Sequence, residues 1–161
     1  MRSLGDVLGV TATRPEQDDD NACTLDVLWR NETKKESILI ELKTKKKPEG
    51  MIGIDDVGQG FNHMEWVTST FPEEQVLGLI IVSLSQKRSA ETSPSKDMWL
   101  ANLAPFRELF DEFLQSLAAL QRLTPLQRVP EMEAFALRAE WQPETIFLRL
   151  RGIQMLSVPS Q

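Results

Sequence analysis

The chain has 161 residues, 41% hydrophobic and 26% charged, a balance within the globular range that excludes a disordered or fibrous protein and suits one core burying roughly 68–70% of the unfolded surface. A formal net charge of -6 supplies no overall basic field, so any contact with nucleic acid has to come from a local patch. No run approaches the ~20 apolar residues of a membrane-crossing helix and the start, MRSLGDVLGV, lacks a signal peptide's apolar segment, which predicts a cytoplasmic protein with no membrane partner.

Residues 6–22 hold turn and cap formers, including Asp18, Asp19, Asp20 and Asn21, and are expected as an exposed loop. TLDVLWR (24–30) and SILIELKT (37–44) are short aliphatic runs joined by the polar stretch 31–36, which predicts two strands and a hairpin. KTKKKPEG (43–50) is charged and closes on Pro and Gly, so it leaves the sheet as a solvated loop. From Ile54 to Phe71 the spacing of Val57, Phe61, Met64 and Val67 predicts a helix, with Asp55 or Asp56 as cap and Pro72 as stop. QVLGLIIVS (75–83) is nearly all apolar, the mark of a strand covered on both faces, and the β-α-β order implies a parallel crossover. Residues 86–96 read as an exposed loop ahead of Met98, Trp99 and Leu100.

Phe106, Leu109, Phe110, Phe113, Leu114, Leu117 and Leu120 follow helical spacing behind Pro105, as a core stripe or a dimer surface. Pro125, Pro130 and Pro143 divide the tail into short helical pieces, and IFLRLR (146–151) fits helix and strand alike. The expected fold is α/β, a mixed β-sheet flanked by helices over residues 1–100, with a helical C-terminal extension, 101–161, packed on it.

The chemistry is expected on the two strands. In SILIELKT, Ile38, Ile40 and Leu42 take one face while Leu39, Glu41 and Lys43 take the other, so a carboxylate and an ammonium share one side of an apolar strand. Burying charge is unfavourable unless it is paired, hydrogen-bonded or bound to metal. In TLDVLWR, Leu25, Val27 and Trp29 share a face and Asp26 takes the other, so hairpin pairing brings Asp26 beside Glu41, where two carboxylates repel unless a proton or cation lies between them. Carboxylates with a backbone carbonyl and retained waters suit magnesium. Lys43 could then orient a water or stabilise charge on a phosphate oxygen. Cys23 is the only cysteine and His63 the only histidine, which argues against a disulfide and a Cys- or His-rich zinc site.

Asp26, then Glu41-Leu42-Lys43 on the next strand, then Gln59 on the following helix resemble the PD-(D/E)XK nuclease superfamily, of restriction-endonuclease-like fold, over residues 5–85. The resemblance implies that Asp26 and Glu41, with the Leu42 carbonyl, hold magnesium (manganese as substitute), that Lys43 serves the attacking water and that Gln59 assists. Leu25 stands where many members carry proline, and only Met1 to Leu8, with Asp6, stands for a longer acidic N-terminal helix. His63, four residues after Gln59 on the same helix face, stands where some members carry tyrosine and is a candidate site-lining residue.

Plainer readings compete. Glu32-Thr33-Lys34 repeats the acidic-x-Lys spacing, so the tripeptide is uninformative without its strand context, and a structural Glu41–Lys43 pair is the bland alternative. His63 reads equally as a satisfied buried residue. Lys45, Lys46 and Lys47 are either a solvated run or contacts to nucleic-acid phosphates. Gly58 and Gly60 suit close packing rather than a dinucleotide site. No P-loop, Gly-x-Ser-x-Gly or His-Glu-x-x-His occurs.

The functional expectation is a magnesium-dependent endonuclease or phosphodiesterase acting on nucleic acid, DNA in the first place. The alternative is a nuclease-like domain without activity that serves as a nucleic-acid-binding or assembly module in a larger complex. Cutting both strands of a duplex needs two sites, so a homodimer is compatible with the first.

Overall fold

The computed structural model describes residues 1–18 and 24–160; the sequence readings for Asp19, Asp20, Asn21 and Cys23 lie outside them. In chain order the elements are α1 (Arg2–Val7), β1 (Thr11–Thr13), α2 (Pro15–Asp18), β2 (Val27–Asn31), β3 (Glu36–Lys43), α3 (Ile54–Thr70), β4 (Gln75–Ser83), β5 (Met98–Ala101), α4 (Ala104–Gln121), α5 (Pro125–Ala136), α6 (Pro143–Leu150) and β6 (Ile153–Gln154). They build an α/β protein around one open mixed sheet of order β1-β2-β3-β4-β5-β6. The β1–β2, β2–β3 and β5–β6 pairs are antiparallel, and β3–β4 and β4–β5 are parallel.

Period-2 alternation divides the strands' side chains between two apolar layers. Val27, Trp29, Ile38, Ile40, Ile80 and Val82 pack with Phe106, Leu109 and Phe113 of α4 and Ile146, Phe147 and Leu150 of α6. Leu28, Leu39, Leu79, Ile81, Met98 and Leu100 pack with Val57 and Val67 of α3. Helices thus cover both faces, which is why β4 is apolar nearly throughout. Gly60 lets α3 approach the sheet: a Cβ there would lie 2.7 Å from Leu79 Cδ2 and 3.1 Å from Met98 Cε.

The β2–β3 turn works as its polar residues suggest. The Asn31 side chain accepts the Thr33 and Lys34 backbone N–H groups, and Lys35 takes a left-handed conformation at φ 56°.

Several readings change. Residues 6–22 are not a continuous loop, since β1 pairs along β2 and α2 follows; a three-residue edge strand leaves too little alternation to recognise. β2 begins at Val27 rather than Thr24, because the Leu42 backbone N–H is taken by the Asp26 side chain and the ladder ends at Val27–Ile40. Leu25 accordingly packs on the α3 side, not with Val27 and Trp29. Pro130 sits inside α5 instead of breaking it; the carbonyl it leaves without a helical donor belongs to Leu126, a residue 91% exposed and open to water. IFLRLR resolves as helix, its buried Ile146, Phe147 and Leu150 forming a helical stripe behind Pro143. The segment 101–161 also contributes β6 to the sheet edge. Among the described residues no helix is long and apolar enough to cross a membrane.

Candidate active site

The site lies at the C-terminal end of β3, where the sheet opens. Glu41 and Lys43 follow Leu39 on the α3 face, and Glu41 is registered against Ile81 of β4. On the other side of β3 the ladder to β2 has stopped, and Asp26 Oδ2 accepts the Leu42 N–H at 2.7 Å in place of a backbone carbonyl. Because N–H and C=O of one strand residue point to the same side, the Leu42 carbonyl is directed toward Asp26 as well.

Lys43 Nζ is held from three directions: by Gln59 Oε1 at 2.6 Å, Glu41 Oε1 at 2.8 Å and Asp56 Oδ1 at 3.8 Å. Gln59 Nε2 donates to Thr24 Oγ1 at 3.0 Å, which fixes which end of the amide meets the lysine. One helical turn on, His63 is buried between α3 and the strand with Nε2 3.1 Å from Glu41 Oε2. That separation is within hydrogen-bonding distance, but the ring N–H is not aimed at the oxygen and no hydrogen bond forms.

Beyond Lys43 the chain turns over the start of α3. Asp56 there accepts the Gly53 N–H at 2.7 Å and Lys46 Nζ at 2.7 Å, so one carboxylate both caps the helix and pins the lysine loop. The loop is further stitched to the one after β4 by hydrogen bonds from Ile52 N–H to the Lys87 carbonyl and from Ser89 N–H to the Ile52 carbonyl. Lys45 and Lys47 remain exposed. The whole borders a cleft of about 670 Å³ whose walls include Glu16, Thr24, Asp26, Glu41, Lys43 and Gln59.

The two carboxylates titrate in opposite senses. Burial pushes the Asp26 carboxyl up, and the nearby charges of Glu41 and Glu16 add to this against the Leu42 N–H and Lys43. Burial acts upward on Glu41 too, yet the His63 and Lys43 contacts outweigh it and hold that carboxyl below its ordinary range. Asp26 is therefore the carboxylate whose charge burial chiefly opposes, with Glu41 and Glu16 adding to the effect.

Asp26, Glu41 and the Leu42 carbonyl are the groups on the cleft wall that could hold a hard divalent ion. Among the described residues no group of three or more His, Cys, Asp or Glu side chains converges as a metal cage. Two carboxylates and a carbonyl beside an open cleft match the ion that keeps several of its waters, magnesium.

Asp26, Glu41, Lys43 and Gln59 thus meet in one place, and His63 touches it only through Glu41. Of the lysine run, Lys46 is engaged by Asp56, Lys45 is exposed on the cleft wall, and Lys47 is exposed but does not line the cleft. Asp6 is not on the cleft wall; the acidic residue from the N-terminal region there is Glu16, which the loop reading passed over although Pro15-Glu16 has the look of a helix start. Thr24 was also missed, and nothing in a lone threonine marks it. No family model, curated protein or solved structure matches the chain.

Proposed function

We propose that the chain is a PD-(D/E)XK-type, magnesium-dependent nuclease hydrolysing phosphodiester bonds in nucleic acid, DNA in the first place, and that the sheet with α3 is a restriction-endonuclease-like core working in the cytoplasm. The observation that carries this reading is the convergence of Asp26, just before β2, Glu41 and Lys43 of β3 and Gln59 of α3 on one cleft wall. A structural Glu41–Lys43 ion pair alone does not account for Asp26, held beside a second carboxylate against its own charge preference.

Asp26, Glu41 and the Leu42 carbonyl would hold the ion. When bound, magnesium supplies Lewis-acid polarisation of a phosphate oxygen and lowers the pKa of an attacking water. The chain's own residues do the rest. Lys43, steadied by Gln59, presents an ammonium to the water or to charge developing on the phosphate. Gln59 keeps that ammonium from collapsing fully onto Glu41, and Thr24 keeps Gln59 from turning over. Lys45 on the cleft wall and the exposed Lys47 beyond it neutralise flanking phosphates, giving an affinity that falls with salt.

The test is incubation of purified protein with single-stranded, duplex and branched DNA and with RNA, in magnesium, manganese or chelator, wild type beside Lys43→Ala. Metal-dependent cleavage lost in the variant supports the enzyme. Binding of nucleic acid or of a protein partner with no substrate cut overturns it in favour of an assembly module.

A further inference from the structure

Glu41 meets the rest of the molecule through two unequal oxygens. Oε1 is on the cleft side with Lys43 Nζ at 2.8 Å, a partner that has Gln59 as an alternative acceptor and can yield. Oε2 is sealed from solvent and faces His63 Nε2 at 3.1 Å, in a layer where the imidazole is 1% exposed. Both ring nitrogens are buried without a hydrogen-bond partner, and the glutamate oxygen is the polar atom that Nε2 faces.

We infer that His63 is a positioning residue that restricts Glu41 to a single coordinating oxygen and thereby makes the site select magnesium over calcium. The inference rests on the metal-site reading above and concerns what that site discriminates. Magnesium demands near-octahedral geometry at roughly 2.0–2.1 Å and is served by one oxygen per carboxylate. Calcium, at roughly 2.3–2.6 Å and higher coordination number, gains from a carboxylate that offers both oxygens. A glutamate whose second oxygen is buried against α3 cannot make that offer. Freed of His63, the carboxylate can turn Oε2 toward the cleft and accept the larger ion. Groups that orient a metal ligand from behind typically change metal affinity by about 10–100-fold when removed.

The experiment is calorimetric titration of the full chain with magnesium and, separately, calcium, for wild type, His63→Leu and His63→Gln. Leucine fills similar space without an N–H; the glutamine amide reaches Oε2 as Nε2 does. The expected result is that the magnesium-to-calcium affinity ratio falls on the order of tenfold in His63→Leu and returns to within about threefold of wild type in His63→Gln. A merely structural role lowers both affinities in step, and an unchanged ratio in His63→Leu overturns the inference while leaving the metal site standing. If His63→Leu lacks a cooperative melt, His63→Asn takes its place, its amide being too short to reach Oε2. Wild type that binds neither cation overturns the metal-site reading itself, and the inference with it.

Discussion

Gln59 Oε1 accepts a hydrogen bond from Lys43 Nζ at 2.6 Å, joining α3 to the end of β3 through an uncharged side chain that competes with Glu41 for the ammonium. Replacing Gln59 with leucine removes that competitor, and Lys43 then settles on its two carboxylate neighbours, Glu41 and Asp56. A hydrogen bond to a charged group contributes about 1.5–3 kcal/mol, so magnesium-dependent DNA cleavage is expected to fall about 10–100-fold. Thr24→Val, which only loosens the amide, should cost less than about tenfold. Rates beside the Lys43→Ala baseline, with melting curves confirming folded protein, make the comparison; a Gln59→Leu variant cleaving at the wild-type rate removes the residue from the mechanism.

Asp26→Asn is expected to stabilise the metal-free protein at neutral pH. A carboxyl whose pKa is raised by folding contributes stability below its unfolded pKa and loses it as pH rises through the folded one. At pH 7 the native chain therefore carries an Asp26 charge that burial and the neighbouring carboxylates oppose. Asparagine relieves this and still accepts the Leu42 N–H. Its melting temperature should exceed that of wild type at pH 7, with the gap closing as pH falls through the carboxylate range. Magnesium acts in the other direction: at about 100 times its Kd a ligand adds ~2.7 kcal/mol, some 5–10 °C for a chain of this size, to wild type and much less to Asp26→Asn. Scanning calorimetry with and without the ion reads both effects.

The parts of the site that could be read in the sequence are those governed by strand periodicity. Once SILIELKT is a strand, Leu39 in the core commits Glu41 and Lys43 to the same face, and the antiparallel hairpin brings Asp26 alongside. Gln59 was legible only through its resemblance to the superfamily's helix glutamine, since nothing in the helical spacing alone marks it out from its neighbours. Glu16 and Thr24 were not legible, because their approach to the cleft depends on tertiary contacts such as the Glu16 N–H bond to the Leu25 carbonyl. His63 was visible as a helix neighbour of Gln59, but that it sits behind Glu41 rather than beside the cleft depends on the depth at which α3 packs. Pro130 misled because a proline's cost depends on what its missing N–H would have served, here the carbonyl of an exposed residue.

Glu74 carries a stability prediction away from the cleft. It accepts hydrogen bonds from Arg30 Nε at 2.9 Å and from Ser37 Oγ, while the Arg30 guanidinium lies 3.7 Å from the Phe71 ring centre. These contacts fasten β2, β3 and the turn after α3. Burial alone would raise the Glu74 carboxyl, but the Arg30 and Ser37 contacts hold it below the ordinary range. A carboxyl lowered in this way contributes stability that is complete above its unfolded pKa and disappears as pH falls through the folded one. Glu74→Gln should therefore cost about 2 kcal/mol at pH 7, roughly 4–8 °C, and progressively less below pH ~4. Denaturant melts of both proteins across that range test it, and a penalty independent of pH would mean that packing rather than charge is at stake.

Gly58 and Gly60 separate helix propensity from packing within two residues of one helix. At Gly58 an added Cβ meets nothing within 4 Å, so Gly58→Ala should gain about 1 kcal/mol, the ordinary difference between glycine and alanine in a helix interior, and raise the melting temperature about 2–4 °C. At Gly60 the same methyl lands 2.7 Å from Leu79 Cδ2 and 3.1 Å from Met98 Cε, two side chains with no solvent-exposed room to retreat into. Overpacking costs of about 1–3 kcal/mol meet or exceed the propensity gain, so Gly60→Ala should be no more stable than wild type and Gly60→Val clearly less so. Because Gly60 sets how closely α3 approaches β4, lifting the helix there also draws Gln59 away from Lys43. Gly60→Val is accordingly expected to lose cleavage activity at temperatures where it is still folded, whereas Gly58→Ala keeps it; equal activity in the two would show that the lysine does not depend on the helix's distance from the sheet.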